Sequence, residues 1–98
     1  MNVTFKKEWL DRLANGQPVK TRFSAGLVAV YLERIGQIIR ATDERDLRSV
    51  KGNHFEKLVG DRTGQYSIRL NSQFRLVFEI RSGTAGNTIH ILDVVDYH

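Results

Sequence analysis

Cysteine is absent from this chain, which removes disulfides, thiolate metal sites and cysteine nucleophiles together. Its absence also suits a reducing compartment, and a cytoplasmic location is expected. Long apolar runs are missing as well. No stretch approaches the roughly 18 residues that span a bilayer, and residues 1–7 lack the apolar core of a secretory signal. No membrane contact is expected. Proline occurs once, at Pro18, in a stretch (residues 17–23) that reads as a connector. The three histidines include none at close helical spacing, which argues against a zinc site. Neither metal nor other cofactor is expected. A Walker phosphate loop and a nucleophile elbow are both lacking; Gly60-Asp61-Arg62-Thr63-Gly64 leads into a strand and reads as a turn.

Positive charge is what the chain has in surplus, with 15 lysines and arginines against 11 acidic residues and a net charge of +4. A small basic protein is drawn to polyanions such as RNA or the ribosome surface, or to an acidic protein partner. Its 98 residues fit one domain, expected over 1–98, and an apolar fraction of 41% is enough for a folded core.

Residues 3–5 can open a short strand, and residues 7–15 read as a short helix with Trp9, Leu10 and Leu13 on one face, stopped by Asn15-Gly16. The clearest helix spans residues 24–41. Leu27, Val28, Tyr31, Leu32, Ile35, Ile38 and Ile39 recur three and four apart as one broad apolar stripe, with Ser24 as N-cap. Thr42 or Asp43 caps a third helix that Gly52-Asn53 ends. The period then changes to two. Residues 66–70 and 74–80 alternate apolar with polar around the tight turn Asn71-Ser72-Gln73 and predict a hairpin. Residues 88–95 form the last strand and 55–58 the first of the sheet. Helices followed by a meander make an α+β fold, with the helices packed on a twisted antiparallel sheet.

Alternation sends Ser67, Arg69, Arg75, Glu79 and Arg81 to the face away from the helices, as a basic polar surface. In the last strand it groups Ile89, Ile91, Val95 and Tyr97 on one face, and His90, Leu92, Val94, Asp96 and His98 on the other. Cutting RNA without a metal requires a base for the 2′-hydroxyl proton, cations for the phosphate and an acid for the leaving 5′-oxygen. Asp96, Tyr97, His98, His54, His90, Glu56, Arg69 and Arg75 are the residues able to supply these. Taken alone, the same residues also suit a solvated sheet surface and a frayed end.

Three segments carry a specific likeness: Gly52-Asn53-His54-Phe55-Glu56-Lys57-Leu58, Gly60-Asp61-Arg62-Thr63-Gly64-Gln65-Tyr66-Ser67-Ile68-Arg69-Leu70-Asn71 and Gln73-Phe74-Arg75-Leu76-Val77-Phe78. With the ending Val95-Asp96-Tyr97-His98, their order and spacing resemble the HigB toxins, the plasmid maintenance killer branch of the RelE/ParE superfamily. The resemblance implies N-terminal helices on a twisted antiparallel sheet. It implies a type II toxin that cleaves mRNA as a ribosome-dependent, metal-independent endoribonuclease and so inhibits translation. It implies a HigA-like helix-turn-helix antitoxin in a toxin–antitoxin hetero-oligomer. The site residues it points to are Arg75 on the scissile phosphate, Asp96 and His98 for proton transfer, and Tyr97 for stacking or proton donation. Base and acid stay unassigned. Glu56 is a further base, and Lys57, Arg62, Arg69 and His54 are expected along the RNA.

This chain departs from the family pattern at Glu56, where some members have histidine, and at Val59, where some have lysine. Arg48-Ser49-Val50-Lys51 replaces the usual proline-rich stretch. Alternation puts Lys57 and Val59 on one face and Glu56 and His54 on the other, so both pairs line one site only if a bulge intervenes. Two other classes share the fold: a ParE-like gyrase poison, and an inert RNA- or antitoxin-binding module. The Asp-Tyr-His ending, absent from the gyrase poisons, favours the nuclease. Strict alternation makes Asp96 with His98 the expected proton-transfer pair.

Overall fold

The computed structural model describes residues 1–97. Strand β1 (Asn2–Phe5) leads into helices α1 (Glu8–Ala14), α2 (Ala25–Arg40) and α3 (Glu44–Arg48), followed by strands β2 (Glu56–Lys57), β3 (Tyr66–Arg69), β4 (Phe74–Arg81) and β5 (Thr88–Asp96). The long helix forms where its periodicity predicts. Ser24 Oγ accepts from the Leu27 N–H at 3.1 Å, satisfying a donor that the first turn leaves open. The buried stripe is narrower than expected: Leu27, Tyr31, Ile35 and Ile38 face the core, while Leu32 and Ile39 stay exposed. Ser24→Ala is expected to lower the unfolding free energy by about 1 kcal/mol, measured by urea titration; a change under about 0.3 kcal/mol would mean that water replaces the cap without cost.

The five strands run in the order β1-β5-β4-β3-β2. The expected antiparallel arrangement holds from β2 to β5, and β1 adds to the edge in parallel, with Val3 opposite Ile89 and Phe5 opposite Ile91. A parallel neighbour needs a long crossover, and α1 to β4 supply it. The helices cover one face of the sheet. Ile68, Leu76, Phe78, Ile89 and Ile91 are fully buried beneath them, with Leu10 and Ile38. The Tyr31 hydroxyl donates to the Leu10 carbonyl at 2.7 Å and ties α2 to α1, and burial there pushes its pKa up.

Three expectations about local structure are corrected. The third helix ends at Arg48, and a separate 3₁₀ turn (Lys51–Asn53) follows, because Val50 takes an extended backbone between them. The strand expected over 55–58 shrinks to two residues. Phe55 leaves the strand line to pack on Tyr66 and Phe78, with ring centroids 5.6 and 5.9 Å away. The third correction matters most for the site. Val77 pairs with Asp93 but Phe78 pairs with Ile91, so Leu92 is an extra residue in β5. This bulge breaks the alternation. Val94 and Asp96, opposite Leu76 and Phe74, therefore fall on the helix-covered side with Ile89 and Ile91, and Val95 moves to the opposite face.

Candidate active-site groove

The sheet face turned away from the helices is built around Arg75. It lies on β4 between Arg69 of β3 and Val95 of β5. Alternation aims it away from the helices, as expected, but the expected open surface is corrected: Arg75 is only 6% exposed and Ser67 1%. Arg75 Nε donates to Ser67 Oγ at 2.8 Å, and Nη2 donates to the His54 carbonyl and, at 3.4 Å, to that of Ser67. The Tyr97 ring centroid stands 5.4 Å from the guanidinium carbon. Among the described residues no carboxylate comes within ion-pair distance of Arg75. Neutral dipoles thus hold a buried cation that no carboxylate among the described residues pairs with, an arrangement that attracts an anion.

An open groove of about 300 Å³ starts at this guanidinium. Arg75, Tyr97, Ser67 and Glu56 line it beside Lys57, Val59 and Arg62, with Leu58, Val77 and Val95 as apolar floor. A second depression of about 230 Å³ shares Glu56, Arg75 and Tyr97 and adds His54, Arg69 and the 71–73 turn. The alternation that separated Glu56 from Lys57 and Val59 is overruled here. With β2 only two residues long and the 3₁₀ turn Gly60–Arg62 just beyond it, the chain wraps the groove so that all three line it. Val59, 82% exposed, stands at its rim.

Asp96 and Tyr97 separate. The Tyr97 N–H donates to the Gln73 carbonyl at 2.7 Å, which carries the β4–β5 pairing one residue beyond Asp96 and holds Tyr97 beside Arg75. Asp96 does not join them. It lies opposite Phe74, accepts from Gln73 Nε2 at 3.0 Å, and borders a depression with Arg22, Phe23 and Ser24 on the helix side. His98 lies outside the described residues. His90 is remote from the groove, beside Thr4 Oγ1 at 2.7 Å, where burial and then the Arg81 charge lower its pKa. Alternation put Ser67 on the Arg75 face but gave it no role. Sequence reasoning missed the His54 carbonyl, which no periodicity signals because its partner comes from another part of the chain.

A mixed sheet covered on one face by N-terminal helices is the fold of the YoeB/ParE-type toxins. The YoeB/ParE toxin from Agrobacterium tumefaciens superposes with a TM-score of 0.63 at 19% identity, over the whole of both chains. The YoeB–YefM complex from Staphylococcus aureus gives 0.61 at 24% identity, over all of this chain and 97% of that one. Sequence narrows the class. The chain belongs to the HigB-like toxins, RelE-like toxins of type II toxin–antitoxin systems, whose family profile matches residues 3–98. Toxin HigB-1 of Vibrio cholerae serotype O1 is 33% identical over 88 residues, covering 90% of this chain and 93% of that one. The family resemblance carried by residues 52–98 is thus borne out.

Proposed function

We propose that this toxin is an endoribonuclease that cleaves mRNA on the ribosome, without a metal, in the groove centred on Arg75, and acts as one domain over 1–98. The observation that carries the reading is the buried Arg75 guanidinium, which makes no ion pair among the described residues, with Tyr97 and Glu56 lining the same groove. The guanidinium holds the scissile phosphate as charge builds on it. A base takes the proton of the 2′-hydroxyl, that oxygen bonds to phosphorus, and the bond to the 5′-oxygen breaks as an acid protonates the leaving oxygen. In this reading Glu56, which lines the groove, is the base and Tyr97 the acid, with His98 next in the chain as a further proton carrier. Asp96 is left a supporting place at the strand end, since it is the Val95/Tyr97 side that meets Arg75. Lys57, Arg62 and Arg69 track the RNA backbone.

The natural partner in this reading is a helix-turn-helix antitoxin in a hetero-oligomer, and the net charge of +4 favours acidic residues on it. Toxin, ribosomes and mRNA would meet in the cytoplasm; no helix among the described residues is long and apolar enough to cross a membrane.

The test is to add the toxin to a translating extract and map mRNA 5′ ends. New ends that require ribosomes support the reading, and no new ends would overturn it. Cutting of free RNA at the same rate would remove the ribosome from it. Tyr97→Phe keeps the ring beside Arg75 but removes the hydroxyl. It is expected to slow single-turnover cleavage about 100-fold, the low end for a general acid. Equal rates for Tyr97→Phe and wild type would move the acid role to another group.

A further inference from the structure

The Arg75 guanidinium is set by a turn that is remote from it in sequence and oddly built. After the 3₁₀ turn Lys51–Asn53, His54 adopts φ +43° and ψ 56°, the only positive φ of a non-glycine residue among those described. Such a left-handed residue persists only where its surroundings over-determine it. Here they do. Asn53 is fully buried, and its Nδ2 donates to the Leu47 carbonyl at 3.0 Å and to Gln37 Oε1 at 2.5 Å, fastening the turn to α3 and α2. The backbone N–H groups of Asn53 and His54 close the turn on the Val50 and Lys51 carbonyls at 3.0 and 3.2 Å. The left-handed backbone then turns the His54 carbonyl onto Arg75 Nη2, while Ser67 Oγ takes Nε. With Nε and Nη2 held, Nη1 is the nitrogen left over for a phosphate in the groove.

We propose that Asn53 and the left-handed backbone of His54 are positioning residues. They lock the Arg75 guanidinium in the plane that presents Nη1 to the phosphate, and His54 does so through its carbonyl and not its imidazole. The inference rests on the Arg75-centred reading above. A ring on an exposed turn would ordinarily be the first group credited with a role, and the geometry gives that role to the backbone. A mis-set guanidinium loses rate more than binding, because an error of about 1 Å costs roughly 100-fold in a well-oriented reaction.

Three variants test it in the full chain. His54→Pro forbids the positive φ, Asn53→Ala removes the anchor, and His54→Gly removes the ring but permits the same backbone. Two readouts are needed: ribosome-dependent cleavage, and ¹⁵N spectra of the arginine side chains with the Arg75 signals assigned by their loss in Arg75→Lys. Slow rotation and separate Nη signals for Arg75 are expected in wild type and His54→Gly, and averaged signals in His54→Pro and Asn53→Ala. Expected kcat losses are about 30-fold or more for His54→Pro and about 10-fold for Asn53→Ala, with KM within about threefold; His54→Gly loses less than about fivefold. The proposal is overturned if His54→Pro keeps both the locked signals and the rate. It is equally overturned if His54→Gly falls as far as His54→Pro with its Arg75 signals intact, since the ring would then be the contributor. Should His54→Pro fail to fold by circular dichroism, Asn53→Ala decides alone: an averaged Arg75 signal upholds positioning and a locked one overturns it. A wild type that cuts no RNA refutes the nuclease reading, while the spectra still decide whether the turn holds Arg75.

Discussion

Arg75→Ala is expected to lower ribosome-dependent mRNA cleavage by about 100- to 1,000-fold, the loss usual when one preorganised donor to a developing anion is removed. Two features of the groove put the effect this high. The guanidinium is buried, so its charge is poorly screened by water, and no carboxylate among the described residues shares it. Arg75→Lys keeps the charge but loses the fork that bonds Ser67 and His54 together, and is expected to recover only a small part of the rate. Stability should move far less. The variant leaves the Ser67 hydroxyl and the His54 carbonyl without their donor, which costs about 1–3 kcal/mol, and relief of a buried charge offsets part of that. Urea titration beside the cleavage assay separates the two effects. A folded Arg75→Ala protein that cuts at the wild-type rate would refute the phosphate-holding role, whatever the rest of the groove does.

Phe78→Ala is expected to cost about 3–5 kcal/mol of unfolding free energy, the range for a fully buried phenylalanine. Small domains have only about 5–15 kcal/mol in all, so this variant should be partly unfolded at growth temperature. Phe78 has no exposed surface, lies opposite both Tyr66 and Ile91 in the sheet, and meets the Tyr66 and Phe55 rings at 6.2 and 5.9 Å. Phe55 follows His54 directly, so loosening that aromatic group also loosens the turn that holds Arg75. Denaturant titration and cleavage at a low temperature give the check. A loss below about 1.5 kcal/mol would show that the core is not centred on β4. Full cleavage by the folded fraction would show that the Phe55 packing does not reach the groove.

How far each of these residues was legible in the sequence depends on the range of the interactions that place it. The helical stripe on α2 and its Ser24 cap involve neighbours three and four residues apart, so the repeat itself carries the information. The β3–β4 hairpin is nearly as local, and the alternation around Asn71-Ser72-Gln73 correctly sent Ser67, Arg69 and Arg75 to the face away from the helices. The parallel seat of β1 on β5 joins residues more than eighty positions apart, and nothing in Asn2–Phe5 specifies such a partner. The burial of Arg75 belongs to the same category, since segments 51–58 and Tyr97 come over it from two other parts of the chain.

The ending Asp96-Tyr97-His98 shows the division most sharply. Residue identity established that titratable groups stand at the end of the last strand, and their order with the upstream segments was enough to recognise the HigB-like family. Alternation also separated Asp96 from Tyr97 correctly. It could not tell which of them meets Arg75, because one extra residue at Leu92 reverses the sides taken by Val94, Val95, Asp96 and Tyr97. A bulge is set by the hydrogen-bond register between two strands, a property of the pair that neither strand's pattern contains. Folding therefore brought Tyr97 to the arginine and left Asp96 with Gln73 on the other side.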